Sequence, residues 1–275
     1  MQINTNIGAV YSARALQSAN KEIADSVKRI SSGEKLSSDD PYSITAGSRL
    51  KAQIGSLTKA NESVSKAMGA LQIQDAALNQ ISDILISMKE MAVAAQNAAT
   101  TTSERTALND AFVNLRDMIP DLAALAKVDS NDLLPTTAAT LTYRVGAATS
   151  DTYAIETFSV QLADIGGDIS ASVISGANGT AAGTAEGKID VAITDIAGMQ
   201  GKVGGNMKAL ESIANINDSV ITSATTSYST ITSTDLAKET ANLAAQQIKQ
   251  NAAAAMFAQS NAMNRDVASY LLKSV

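Results

Sequence analysis

The chain of 275 residues contains no cysteine, no histidine and no tryptophan, and only 3% of its residues are aromatic. Without cysteine, the chain cannot form disulfides, thiolate nucleophiles or Cys-based metal sites. Without histidine, the imidazole-based catalytic arrangements, His-ligated zinc sites and the usual general base near neutral pH are excluded. We therefore expect a protein that is not an enzyme, with no catalytic residue, cofactor or metal site.

The chain also lacks a basic patch and a long apolar run. Its net charge is −6 and its basic residues are scattered, which argues against nucleic acid and against an anionic membrane surface. The longest apolar run, 252–258, is far below the roughly 20 residues that span a bilayer. The first residues, MQINTNIGAVYSA, have no basic or long apolar region of a Sec-type signal peptide. We expect no membrane insertion and, if the protein leaves the cell, another export route.

The two ends of the chain carry very few charges. No residue from 1 to 13 is charged, and Lys249 is the only charged residue from 240 to 264. A surface helix normally keeps a charged outer face, so helices like these need partners on several sides. We expect those partners to be the opposite end of the chain and other copies of it, which predicts a self-assembling structural protein. The residues expected to carry self-assembly are Ile7, Val10, Leu16, Ile23, Val27, Ile30, Leu236, Leu243, Met256, Met263, Val267 and Leu271.

Two long segments show seven-residue apolar repeats. In the first, leucine or valine recurs every seven residues from Leu50 to Leu85, which is typical of a coiled-coil seam. An interleaved column that begins at Ile54 and Asn61 is more polar, which indicates either register control or partial exposure. Spacing alone leaves open whether these columns pack within one chain or between copies. The predicted seam residues are Leu50, Leu57, Val64, Leu71, Leu78, Leu85, Ile193, Ile196, Val203, Met207 and Leu210.

Capping residues predict where the helices begin and end. Gly33 suits the end of the first helix, while Asp40 and Pro41 suit the N-cap and first position of the second. The third helix is expected to begin after Thr102 or Ser103. Its internal Pro120 predicts a kink rather than an early end, because apolar spacing resumes immediately.

The middle of the chain is different in character. Alternating residues in 141–145 and 153–156, separated by a turn at 146–152, predict a β-hairpin, with a third strand near 169–174. Residues 175–187 are expected to be an exposed loop. The Ser/Thr-rich stretch 222–234 is expected to separate the last two helices. The predicted fold class is mainly α: an elongated antiparallel helical bundle or coiled coil with a small β-hairpin region and paired N- and C-terminal helices.

Several short strings resemble bacterial flagellin, and the resemblance covers roughly residues 1–130 and 188–275. Each string alone is weak, but together they are specific. They are INTN at 3–6, RISSG at 29–33 followed by SSDD at 37–40, KEMAV at 89–93, DLAKE at 235–239, AQSNA at 258–262 and VASYLL at 267–272.

The resemblance implies a short flagellin without large outer domains. Residues 1–39 and 233–275 would form the inner core domain, and 40–232 the rod domain, with 130–187 as its β and loop distal part. The implied function is a subunit that polymerises into the extracellular flagellar filament for swimming motility, after export in an unfolded state by the flagellar type III system. Implied partners are other copies, a flagellar export chaperone, and hook-associated and cap proteins.

Two alternatives stay open at this stage. A hook–filament junction protein would share the same ends, and the Asp39-Asp40-Pro41 string resembles that class, whereas the AQSNA string and the short middle of the chain argue against it. A signalling coiled coil would need a membrane anchor or a partner domain that this sequence does not contain.

Overall fold

A computed structural model describes the backbone of residues 6–36, 38–176 and 179–273, and the side chains of these residues except 267, 268 and 270–273. The fold is mainly helical with two small antiparallel hairpins, which confirms the predicted class. The elements are α1 (Ile7–Ser32), α2 (Pro41–Gln96), α3 (Thr102–Leu125), β1 (Lys127–Val128), β2 (Asn131–Asp132), β3 (Thr140–Arg144), β4 (Thr152–Glu156), α4 (Thr180–Thr232) and α5 (Leu236–Lys273).

The helix ends follow capping chemistry. Gly33 ends α1 at a φ of 70°, a left-handed conformation that glycine adopts cheaply, and its N–H donates to Arg29 O. Asp40 accepts the Ser43 N–H at 3.1 Å before Pro41 begins α2, as predicted. The cap of α3 is Thr101 rather than Thr102 or Ser103, because Thr101 and Glu104 form a reciprocal capping box. The same helix continues through Pro120.

The chain divides into two compact units. The terminal unit comprises residues 1–53 and 223–275, and the central unit comprises residues 54–222. The two units bury different kinds of side chain.

The central unit has one contiguous apolar core. Leu57, Val64, Leu71, Leu78 and Leu85 on α2 are all buried. The column that accompanies them lies three residues further on, at positions such as Ile81 and Met88, because a seam alternates spacings of three and four. The interleaved positions that begin at Ile54 and Asn61 are half-buried, which favours partial exposure. Residues from α3 and α4 complete this core, including Phe112, Ile119, Ile189 and Ile196.

The β region differs in part from the prediction. The hairpin is present, with β3 paired to β4 from Thr140↔Glu156 to Arg144↔Thr152. No strand occupies 169–174 in the described structure. Ile169 and Ile174 lie instead in irregular chain and are fully buried in the core. A second, two-residue hairpin, β1–β2, was not predicted.

Two segments expected to be irregular are helical. The expected loop at 175–187 is wrong from Thr180 onward, because α4 begins there and buries Ala182 and Ala185. The expected break at 222–234 is also wrong, since α4 continues to Thr232. Hydroxyls in this stretch donate to the carbonyl four residues earlier, as Thr232 does to Tyr228 O at 2.7 Å. Each such hydroxyl shares a carbonyl with the helical N–H, an arrangement that is compatible with a continuous helix.

Candidate self-assembly site

In the terminal unit, α1 packs antiparallel against α5 through small side chains. The buried positions of α1 recur at spacings of three and then seven residues, which keeps them on one face as in a coiled coil: Ala9, Ser12, Ala19 and Ser26. Ala253 is buried on the α5 side. In the described part of this unit, the buried residues are Ala, Gly, Ser and Thr, together with Glu239. Small side chains therefore fill the centre of the seam, and the large apolar residues described in the same helices are half-buried or exposed.

Polar contacts fix the register of this seam. Asn6 caps α1 by accepting the Ala9 N–H at 2.9 Å, and its amide donates to Ser260 O at 3.0 Å. Gly8 allows this close approach, since a Cβ there would lie 2.7 Å from the hydroxyl of Ser260. Further along, the Gln250 amide donates to Asn20 Oδ1 at 2.6 Å. The pairing specifies one antiparallel alignment of the two helices.

An ion cluster closes the far end of the seam. Arg29 Nη1 donates to Glu239 Oε1 at 2.9 Å, and Arg29 Nε donates to Asp39 Oδ2 at 2.7 Å. Hydrogen bonds to Asp39 and then Glu239 raise the pKa of Arg29. The Ser26 hydroxyl and then Arg29 lower the pKa of Glu239, and Arg29 lowers the pKa of Asp39. All three groups are therefore held in their charged forms.

None of the predicted self-assembly residues whose side chains are described is fully buried in this seam, and six of them are exposed. Those exposed are Ile7, Val10, Val27, Leu236, Met256 and Met263. Those half-buried are Leu16, Ile23, Ile30 and Leu243. The side chains of Val267 and Leu271 lie outside the described residues.

Sequence reasoning missed three large outward residues. Tyr11 is 68% exposed and Ile248 is 70% exposed, and Phe257 is also exposed. Tyr11 lies four residues after Ile7, so helical spacing could have revealed it. Ile248 falls outside the seven-residue columns of α5, and the sequence pattern gave no signal for it.

Two open grooves run along the paired helices. One, of about 720 Å³, is lined by residues that include Gly8, Tyr11, Ala15 and Met256. The other, of about 510 Å³, includes Ile7 and Met263. The lining of both grooves is mainly apolar and contains few charges, so their shape and chemistry suit the apolar side chains of another helix.

The predicted seam residues are divided between the two units of the chain. Leu50 lies in the terminal unit and is half-buried. In the central unit, Ile193 and Met207 are half-buried against the core. The remaining predicted seam residues are buried there: Leu57, Val64, Leu71, Leu78, Leu85, Ile196, Val203 and Leu210.

Neither a metal cluster nor a membrane span occurs among the described residues. No group of three or more Asp or Glu side chains is arranged to hold a metal ion in that part of the chain. The helices, searched over the same residues, include none with the length and hydropathy to cross a bilayer.

These features define a helical structural protein with an apolar surface on its paired ends, and comparison with known proteins identifies its family. Residues 3–139 match the bacterial flagellin N-terminal helical region, and residues 187–271 match the bacterial flagellin C-terminal helical region. The chain belongs to the bacterial flagellin family, which confirms the resemblance seen in the sequence. This family comprises structural proteins, not enzymes, which polymerise into the extracellular flagellar filament.

Individual relatives agree with this assignment. Flagellin FljM from Caulobacter vibrioides is 30% identical over 250 residues, which cover 90% of this chain and 90% of that protein. Polar flagellin F from Vibrio parahaemolyticus is 27% identical over 156 residues, or 56% of this chain, and the match spans only 41% of its length. The crystal structure of Bacillus cereus flagellin is similar with a TM-score of 0.51 and 25% identity, covering 56% of this chain and 88% of that one.

Proposed function

We propose that this chain is a filament subunit whose α1 and α5 bury their outward apolar side chains between copies. The observation that carries the proposal is that the terminal unit buries small side chains and exposes large apolar ones. Small residues such as Ala9, Ser12 and Ala253 fill the seam, while Tyr11 and Met256 face outward. A single copy leaves this surface exposed to water.

The energetics favour assembly through this surface. Fully burying one Val, Ile or Met side chain contributes about 2 kcal/mol, and several such side chains lie on each terminal unit. The surface also carries few charges, so few ions need to be desolvated when copies pack together. Association therefore gains apolar burial at little electrostatic cost.

The domain arrangement of the filament is part of the proposal. Residues 1–39 and 233–275 form the inner core domain, where they contact many neighbours. Residues 40–232 form the surrounding rod domain, and 130–187 lie at its distal end. The apolar core of the central unit supports this assignment, because a unit that buries its own large side chains can face solvent.

Further partners follow from the same surface. An export chaperone would cover α5, where Ile248, Met256 and Met263 are exposed before assembly. Hook-associated and cap proteins would contact the terminal helices at the two ends of the filament. Both interactions are proposed from the flagellin family and from the exposed apolar side chains of α5.

A hook–filament junction protein is the second candidate. The Asp39-Asp40-Pro41 string favours it, while the extent of the match to flagellin FljM favours the filament subunit. Negative-stain electron microscopy of purified, seeded protein distinguishes them. Long tubes support the filament subunit, and short caps or no polymer support the junction protein.

Substitution at one exposed position tests the assembly surface. Val10→Asp places a charge on the outward face of α1, and we expect seeded polymerisation to be lost while the monomer keeps its helical circular dichroism. Val10→Ile at the same position keeps an apolar side chain and should polymerise. Polymerisation of Val10→Asp at the normal critical concentration would contradict the proposal.

A further inference from the structure

The methionines of this chain differ sharply in exposure. Met88 is fully buried, whereas Met256 is 65% exposed and Met263 is 59% exposed. Met118, on α3, is 43% exposed and lies in the central unit. The other methionines described are half-buried against the central core: Met68, Met91, Met199 and Met207.

Met256 and Met263 share one face of α5 at the grooves beside α1. They are seven residues apart, so both thioethers lie on the same side of the helix. Met256 lines both grooves together with Gly8 and Ser12, and Met263 lines the second. The most exposed thioethers of the described chain are therefore on the surface proposed to pack between copies.

We infer that Met256 and Met263 are oxidation sites through which peroxides control assembly. A hydroperoxide transfers its terminal oxygen to the thioether sulfur, so that an S–O bond forms and the O–O bond breaks. The sulfur is oxidised by two electrons to the sulfoxide, and hydrogen peroxide is reduced to water. Because the chain has no cysteine or tryptophan, the exposed thioethers are its most readily oxidised side chains.

Sulfoxide formation changes the character of the surface. It converts a flexible apolar side chain into a polar one whose oxygen requires a hydrogen-bond donor. Donors beside the two methionines already bond within the terminal unit: Asn6 donates to Ser260 O, Ser12 to Gly8 O, and Ser260 to Asn6 Oδ1. A sulfoxide buried there would have to compete for them. This inference rests on the proposed function, since oxidation matters only if this surface is buried between copies. We expect the critical concentration for polymerisation to rise by about tenfold.

The test uses full-length monomer treated with hydrogen peroxide, followed by seeded polymerisation and peptide mass spectrometry. Sulfoxide should form first at Met256 and Met263, while Met88 stays reduced. The M256L/M263L variant, which keeps apolar side chains of similar volume, should polymerise equally well before and after treatment. The M118L variant should remain as sensitive to peroxide as the natural sequence. Methionine sulfoxide reductases with a thiol reductant should restore polymerisation of the oxidised protein.

The outcomes separate this inference from the proposed function. If oxidised protein carries both sulfoxides yet polymerises at the untreated critical concentration, while Val10→Asp does not polymerise, only the inference fails. Polymerisation of Val10→Asp would overturn the proposed function itself. Should M256L/M263L fail to polymerise untreated, the reductase experiment decides: restoration supports the inference, and a permanent loss overturns it.

Discussion

Arg29 on α1 donates a 2.9 Å hydrogen bond to Glu239 on α5, and this pair joins the two ends of the chain across 210 positions of sequence. Glu239 is only 7% exposed, so its charge depends on the partners that the fold supplies. Arg29 also binds Asp39, which places one guanidinium between two carboxylates. The pairing of α1 with α5 therefore depends on charge at this end of the seam and on small side chains along the rest of it.

Removing the cation should weaken the terminal unit. Arg29→Ala leaves Glu239 buried without its charged donor, and we expect a loss of about 2 kcal/mol in the free energy of opening of α1 and α5. Native-state hydrogen exchange of the amides in these helices measures this free energy of opening. Lys28→Ala is the matched control, because Lys28 is itself exposed where it pairs with Asp25, and its removal should cost less than about 0.5 kcal/mol. Equal effects of the two substitutions would disagree with the structure.

The terminal unit should also be sensitive to acid. The Ser26 hydroxyl and Arg29 lower the pKa of Glu239 in the folded chain. Stability from this group is therefore complete above the ordinary Glu pKa of about 4.3 and is lost as the pH falls through the lower folded pKa. Hydrogen exchange of α1 and α5 at a series of pH values should show this loss, and Glu239→Gln should reduce the slope. Part of the pH dependence should remain in Glu239→Gln, because Arg29 lowers the pKa of Asp39 as well.

The control for this titration is Glu211→Gln. Lys208 lowers the pKa of Glu211, but that pair is exposed on α4, where solvent screens the interaction. We expect the pH dependence of α1 and α5 opening to be unchanged by it. If Glu211→Gln and Glu239→Gln behaved alike, the buried cluster would not be the source of the acid sensitivity.

A buried asparagine should stabilise the central unit. Asn217 on α4 donates its amide to Asn61 Oδ1 on α2 at 3.0 Å and to Val145 O beside the β-hairpin at 2.8 Å. Asn217→Ala leaves both acceptors unpaired, so the free energy of unfolding should fall by about 2 kcal/mol. Urea denaturation measures the change. Asn215→Ala, at an exposed position of the same helix, should change stability by less than about 0.5 kcal/mol.

The leucine column of α2 makes an equally direct prediction. Leu78 is fully buried, and Leu78→Ala should destabilise the central unit by about 2–5 kcal/mol through lost contacts and the cavity it creates. Ile86, the residue after Leu85, is an exposed apolar residue of the same helix. Ile86→Ala should therefore cost less than about 1 kcal/mol. A comparable loss at both positions, measured by urea denaturation, would contradict the assignment of the seam.

Sequence reasoning succeeded where one physical signal dominated. The seven-residue leucine repeat predicted the buried column of α2, and Gly33, Asp40 and Pro41 predicted helix ends because capping chemistry is local. The hairpin at β3–β4 followed from alternation. These features depend on short-range patterns, which the sequence displays directly.

The errors arose where the size and polarity of a residue do not reveal whether it is buried. The seam between α1 and α5 is formed by residues such as Ser12, Ala19 and Ser26, which the sequence analysis did not identify. Small Ala and Gly residues also suggested a loop before Gly187, although Ala182 and Ala185 pack tightly in the core. Composition cannot distinguish a small residue that allows close packing from one that marks a loop. Tertiary contacts decide between them.

The most direct test of the account uses the absence of cysteine, because one introduced thiol is then unique in the chain. Val10→Cys places it on the outward face of α1, and Thr149→Cys places it in the exposed turn between β3 and β4. Maleimide should label both monomers readily. In the filament, we expect labelling of Val10→Cys to be slowed at least tenfold while Thr149→Cys reacts as before. Unchanged labelling of Val10→Cys in assembled filaments would contradict the claim that the terminal helices bury their apolar faces between copies.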